Sequence, residues 1–353
     1  MVESKPFKIL SIDGGGIKGL FSAIILNRLE QEFCKQDEAI SDYFDMICGT
    51  STGGLIALGI SRRIPLSKIV DFYKNDGPNI FPYKTTSQRV RGFARQLLLS
   101  AKYDSGPLKE ALVKVFGDDR MRDAKNLLCI PSYNLIQGRP TIFKSPFYHI
   151  DNPWKFDKEK LMIDVALATA AAPTYFPVHQ IDTEYYADGG VWANNPTLCG
   201  FLEAMKFFYN KEMEINKQKI RYDRIQILSV SSVSQPTGWS TKRGKNLSAR
   251  KWLSKNKIIQ PFMEGQNYLT HFFMTSIADL SLPNEYGILD YFRIEHKPLS
   301  CEQTSNIDLD KATPAALQQL KSIAEDTVRF YYSSKKNVIE HFFSSPKTYI
   351  TQN

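Results

Sequence analysis

Little in this 353-residue chain suits covalent cross-linking or metal capture. Its five cysteines, Cys34, Cys48, Cys129, Cys199 and Cys301, are scattered, odd in number and without C-x-x-C spacing, and several stand in apolar runs. That pattern argues against a disulfide framework or a thiolate metal site, and for reduced core thiols in a cytoplasmic setting. No stretch of about 20 apolar residues is present to span a bilayer, and Met1 to Lys8 lack a basic region followed by an apolar run and a cleavage signal. Any membrane contact is therefore expected to be peripheral. Internal repeats and low-complexity linkers are also missing. One elaborated domain over residues 1–353 is the expectation, its motif-bearing part at about 5–210 and an elaboration over about 211–353.

A hydrophobic content of 42% with 12% aromatics is ample for a sizeable core and excludes a disordered chain. Lys and Arg outnumber Asp and Glu by 45 to 37, a net charge of +8 that favours anionic partners. Charge alone leaves lipid headgroups, nucleotides and nucleic acid open. Seven of the cations, from Lys242 to Lys257, fall in a stretch from Pro236 to Met263 that holds no acid. A membrane-adsorbing surface, a nucleotide-binding surface and a solvated loop all fit it.

The most informative stretch is Gly49-Thr50-Ser51-Thr52-Gly53, which follows the apolar run Tyr43 to Cys48 and precedes a small-residue apolar segment. Strand, sharp turn, helix is the reading. A serine on such a turn needs slender neighbours, here Gly49 and Gly53, and its hydroxyl sits at a helix N-terminus that favours developing negative charge. Ser51 is thus a candidate nucleophile on an elbow, although a plain tight turn uses the same residues. A second strand, Phe7 to Ile12, ends in Asp13-Gly14-Gly15-Gly16-Ile17-Lys18-Gly19 before an amphipathic helix expected from Leu20 to near Lys35. Three consecutive glycines can turn their amides into one small volume suited to an oxyanion or a phosphate. The spacing is not G-x-G-x-x-G and no G-K-[ST] follows, so neither a dinucleotide fold nor a P-loop is indicated.

Further strands are expected at 126–130, 140–143, 224–230 and 291–294. Helices are expected at 164–172, stopped by Pro173, from Asn195-Pro196 to near Tyr209, and after Thr313-Pro314, where Leu317, Leu320, Ala324, Val328 and Tyr331 face inward. Ser87 to Lys102, basic and apolar together, reads as a surface helix with solvated arginines, with a lid or membrane-facing helix as the alternative. Tyr268 to Leu282, with Phe272, Phe273 and Met274, reads as core in preference to a lipid-binding stripe. A short strand, Tyr185 to Asp188, runs into Gly189-Gly190, so Asp188 joins Asp13 and Ser51 at strand ends. In an open α/β sheet that is where ligands bind.

Asp13-Gly-Gly-Gly-Ile-Lys-Gly19, Gly49-Thr-Ser-Thr-Gly53 and Asp188-Gly-Gly190, in this order, resemble the patatin-like phospholipase family over about the first 210 residues. The resemblance implies an α/β fold of three layers, a mostly parallel central sheet flanked by helices. It implies Ser51 as nucleophile, Asp188 as its sole side-chain partner, and Gly14, Gly15 and Gly16 as the oxyanion hole, supported by Lys18 and Gly19. Lys18 stands where the family usually has arginine, which keeps the charge but loses the planar fork. No metal or other cofactor is expected. The expected partner is a membrane phospholipid reached peripherally at the inner face of the membrane. Some bacterial members of similar size are antiviral effectors switched by cyclic dinucleotides, so such an activator belongs to the expectation, and a nucleic-acid duplex does not. Homo-oligomer formation is left open. Two other readings compete: a Ser-Asp-His esterase on small soluble esters completed by His271, His296 or His341, and a non-enzymatic nucleotide-binding module.

Overall fold

Alternate residues of the central strands enter two separate apolar cores, and this divides the molecule into three layers. Leu10, Ile12, Ile47, Leu128, Ile130, Leu228 and Val230 pack on one side, and Phe7, Ile9, Met46, Cys48, Leu127, Cys129, Ile225 and Ile227 on the other. Strands buried on both faces read as continuous apolar runs, which is why these segments look hydrophobic throughout. The computed structural model describes residues 2–82, 101–146, 157–215, 218–234, 259–281 and 287–347. Most of the basic stretch 236–263 and most of 87–102 lie outside these. Lys102, which is described, is half-buried and pairs with Asp310.

In chain order the elements that matter here are β1 (Glu3–Ile12), α1 (Gly19–Phe33), β2 (Met46–Gly49), α2 (Thr52–Ser61), α3 (Leu66–Asn75), α4 (Gly106–Phe116), β3 (Leu127–Asn134), β4 (Arg139–Lys144), α5 (Met162–Thr169), β5 (His179–Ile181) and β6 (Glu184–Asp188). Then come α6 (Thr197–Phe207), β7 (Glu212–Ile215), β8 (Gln218–Val230), α7 (Ile259–Ser281), β9 (Leu289–Ile294) and α8 (Pro314–Ser334). The strands form one nine-stranded sheet. Its centre, β3-β2-β1-β8-β9, is parallel, and β4, β5, β6 and β7 add antiparallel pairs at its margins. The mostly parallel α/β architecture expected from the sequence is the one observed.

One detail of register positions everything that follows. Cys129 of β3 pairs with Cys48 of β2 and with Lys144 of β4, so β2 and β4 occupy opposite edges of β3. Ser132 pairs with Thr141 of β4 and with Asp188 of β6, so β6 lies on the same edge as β2. β2 and β6 therefore run toward each other along one edge of β3. Their C-terminal ends meet.

Two helices flank this arrangement differently. α1 is buried along Gly19 to Leu26 and packs against α3 and α8. α8 is capped as its sequence predicts, the Thr313 hydroxyl accepting from the Ala316 amide at 3.3 Å with Pro314 in the first turn. Its Leu320, Ala324 and Val328 are buried, with Leu317 and Tyr331 partly so. α7 corrects an expectation. Of the described residues from Tyr268 onward, only Met274, Ile277 and Ala278 join the core beside β9 and α6, whereas Tyr268, Phe272 and Phe273 of the supposed core run are exposed. At 100° per residue one flank of the helix meets the sheet and the other points away from it. α5 also ends earlier than expected, at Thr169 and not at Pro173.

Candidate active site

β2 ends at Gly49 and α2 begins at Thr52, leaving two residues to reverse the chain. Ser51 absorbs the turn with φ 54° and ψ −123°, a left-handed conformation a non-glycine residue rarely adopts. The neighbours accept no more bulk. A Cβ on Gly49 would run into the Gly53 carbonyl, and one on Gly53 into the Ile12 carbonyl of β1. The turn is locked from below by a residue that the sequence reading missed. The Ser51 amide donates to Thr169 Oγ1 at 3.0 Å, and that hydroxyl donates to the Pro131 carbonyl at 2.6 Å. The lone hydroxyl closing an alanine-rich helix was the available signal. Gly49→Ala is expected to lower the melting temperature by several degrees and to cost most of the activity, because strand and helix must separate to admit the methyl. A thermal melt matching the parent would contradict this packing account.

Asp188 arrives from the opposite direction at the end of β6. Its Oδ1 accepts from the Gly190 amide at 2.6 Å, which leaves the second oxygen free of that contact. The carboxyl is only 5% exposed, and burial pushes its pKa up to about 6 against the opposing pull of the Ser51 hydroxyl and the Gly190 amide, both donors to its charged form. Ser51 and Asp188 thus form the close pair that their strand-end positions suggested.

The glycine loop divides. The Gly14 amide donates to the Asn194 carbonyl at 2.9 Å, so this member of the expected oxyanion trio is already committed. Gly15 and Gly16 line a cavity shared with Ser51, Thr52 and Asp188. Gly16 has φ 58°, and the space beside it is filled by the Leu309 carbonyl. Gly19 packs directly on Thr52 at the start of α2. Lys18 turns away from the cavity: its Nζ donates to the Val233 carbonyl at 2.6 Å, and burial lowers its pKa despite the nearby Glu264 and Asp308. One carbonyl needs no planar fork, so lysine suffices here.

Asp13 does not join the pair. Its carboxylate is buried against Arg293 of β9, with Nη1 to Oδ1 at 3.2 Å and Nη2 to Oδ2 at 2.5 Å. A partner 280 positions away gives no local sequence signal.

The cavity holds about 250 Å³ and its walls are mostly apolar, with Leu55, Phe81, Leu108, Phe176, Phe262 and Met263 among them and Asn194 and Gln266 as polar exceptions. No histidine lines it among the described residues. His271 bonds Tyr291, His296 bonds Ser234 and His341 bonds Gln226, at 3.0, 2.9 and 2.8 Å. Among the described residues no group of three or more His, Cys, Asp and Glu side chains forms a metal-ligating set. A serine on a strained turn, one buried carboxylate, backbone amides at a helix N-terminus and an apolar chamber together suit attack on an ester whose acyl part is apolar.

Known proteins resemble this chain over the stretch that holds these segments. The profile of the patatin-like phospholipase family matches residues 10–198, which hold the glycine loop, the Ser51 turn and Asp188. A protein of Pseudomonas aeruginosa named cGAMP-activated phospholipase is 37% identical over 212 residues, 60% of this chain and 61% of that protein's length. One of the same name from Escherichia coli is 28% identical over 98% of this chain and 95% of its own length. Patatin-like protein 1 of Arabidopsis thaliana is 30% identical over 90% of this chain and 80% of its own. A profile match over more than half the chain, centred on the residues that build the cavity, places it in the patatin-like phospholipase family.

Proposed function

We propose that the chain is a phospholipase A-type lipid acyl hydrolase that cleaves ester-linked fatty acids through a Ser51–Asp188 dyad. The observation that carries this is the convergence of Ser51, held at positive φ, and a buried Asp188 of raised pKa on one apolar cavity. Ser51 Oγ attacks the ester carbonyl while an Asp188 oxygen takes its proton. The carbonyl oxygen becomes an oxyanion facing the Gly15 and Gly16 amides, and collapse of the intermediate returns the proton to the departing alcohol. Water then attacks the acyl-serine with Asp188 as base, releasing the fatty acid. An unperturbed aspartate is too weak a base for this near neutrality, and a pKa of about 6 removes most of that deficit.

Activation by a cyclic dinucleotide is part of the proposal, supported by the bacterial relatives named cGAMP-activated phospholipase. Among the described residues no helix is long and apolar enough to cross a membrane, which suits a substrate reached from the bilayer surface.

Wild type is expected to release fatty acid from phospholipid vesicles and Ser51→Ala to release none, in assays with and without a panel of cyclic dinucleotides that includes cGAMP. Release by Ser51→Ala equal to wild type would sink the dyad. Indifference to every nucleotide would remove the activator. On a short-chain soluble ester, kcat/KM should rise with pH through a single ionisation near 6 and stay level above it, since only the ionised Asp188 accepts the proton. Alanine at His271, His296 or His341 should leave that profile in place. Its loss in any one of them would favour the triad reading.

A further inference from the structure

The outer face of α7 has no evident place in a protein bathed only in water. Phe262, Tyr268, Leu269, Phe272, Phe273 and Leu280 expose from 43% of their surface, at Phe273, to 81%, at Leu280. Phe262, Leu269, Phe273 and Leu280 follow one another at intervals of seven, four and seven residues, so they line up along the helix, with Tyr268 and Phe272 on one flank. Among the other exposed residues of this face only Asp279 is charged. Scattered exposed leucines are ordinary, but a continuous stripe over several turns marks a surface that meets something apolar.

The helix is held to the protein through Met274, Ile277 and Ala278 and through two carboxamides near its N-terminal end. Gln266 accepts from the Asn194 amide at 3.1 Å and donates to the Val191 carbonyl at 3.1 Å, and Asn267 accepts from the Asn194 carboxamide at 3.0 Å. Met274 is fully buried. Among the described residues, none of the six stripe side chains joins either apolar core. The stripe does continue into the site, because Phe262 is both 66% exposed and part of the cavity wall.

We propose that this face of α7 is the surface by which the chain lies on a phospholipid bilayer, with the cavity mouth at Phe262 turned toward the lipid. The proposal rests on the lipid-hydrolase reading and names the surface through which that substrate arrives. Three observations favour a bilayer over another protein. The stripe mixes aromatic and branched side chains, including a tyrosine whose hydroxyl suits the headgroup level. The cavity it adjoins is itself apolar, so an acyl chain passes from bilayer to chamber without crossing water. The segment joined directly to α7 carries seven cations between 242 and 257 and no acid, complementary to anionic headgroups.

The test uses the full chain carrying Ser51→Ala, so that vesicles of equimolar phosphatidylcholine and phosphatidylglycerol stay intact. Co-sedimentation is measured with and without cGAMP for this protein and for the same protein with Leu269→Ser, Phe273→Ser and Leu280→Ser, three residues outside the cavity. Vesicle partition is expected to fall about tenfold or more in the triple variant. With Ser51 restored, the triple variant should cleave a monomeric short-chain ester as the parent does while losing vesicle hydrolysis. Hydrogen exchange on the unsubstituted Ser51→Ala chain serves as a second reading that needs no folded triple variant: amides of 262–280 should gain protection on adding vesicles. Unchanged partition, protection confined to other segments, no vesicle binding in either condition, or a concentration-dependent dimer that the triple variant abolishes would each overturn the assignment. Vesicle binding without Ser51-dependent fatty-acid release would instead leave the surface standing and remove the hydrolase reading.

Discussion

Asp188→Asn is expected to lower kcat on ester substrates by about 10²- to 10⁴-fold, the range for loss of a positioned general base. The amide is nearly isosteric, so substrate binding and KM should change little. A structural role alone would not split the two constants in this way. The same substitution has an opposite consequence for folding. Burial raises the Asp188 pKa from 3.8 to about 6, so ionisation is harder in the folded chain than in the unfolded one. As pH rises from about 4 to about 6, the unfolded state loses this proton first and stability declines; above about 6 the penalty is constant, on the order of 3 kcal/mol at most. The asparagine variant should therefore melt at a higher temperature than its parent near pH 8, with the gain vanishing near pH 4. Equal activity in parent and variant would remove Asp188 from the mechanism. A stabilisation that does not depend on pH would remove the ionised carboxylate from the energetics.

Removing Arg293 is the second large effect. Its guanidinium is clasped by Asp13 and also donates to Ser229 Oγ at 2.7 Å, with the paired side chains 4% and 1% exposed. Whether such a pair stabilises relative to apolar residues is a separate matter, but deleting one member strands a buried charge. That typically costs about 3–5 kcal/mol. Arg293→Ala should thus lose stability of this order in a denaturant titration. Arg293→Lys should recover only part, because one ammonium cannot meet two carboxylate oxygens and a hydroxyl as the fork does. A loss below about 1 kcal/mol for Arg293→Ala would show that the pair is not energetically engaged. Asp13 immediately precedes the glycine loop, and its amide bonds to the Val230 carbonyl at 3.1 Å. Activity should consequently fall faster than stability alone explains as the loop loses its anchor.

These two effects differ in how far the sequence announces them. Asp188 stood out in the sequence because its order after the triple glycine and Ser51 resembles the patatin-like family, although an aspartate at a strand end is also an ordinary turn former. The strands around it were legible for a local reason: residues buried on both sides leave unbroken apolar runs. Arg293 was not legible, since its partner is brought to it only by the pairing of β1, β8 and β9. Thr169 and the committed Gly14 amide were hidden likewise, each depending on backbone from a distant element. The outer face of α7 was misread because apolar spacing reports that a helix is amphipathic or buried without saying which medium meets its apolar side.

The head-to-head approach of β2 and β6 along β3 makes β3 a ruler. Ser51 follows the strand paired at Cys129, and Asp188 itself pairs with Ser132, so the distance between Ser51 and Asp188 is read off neighbouring marks on one extended backbone. Loops elsewhere can lengthen without disturbing that measurement. One residue inserted between Cys129 and Ser132 cannot be absorbed so easily, because it shifts one mark relative to the other by about 3.3 Å. The chemistry of this chain is thus calibrated by a strand that contributes no side chain to it.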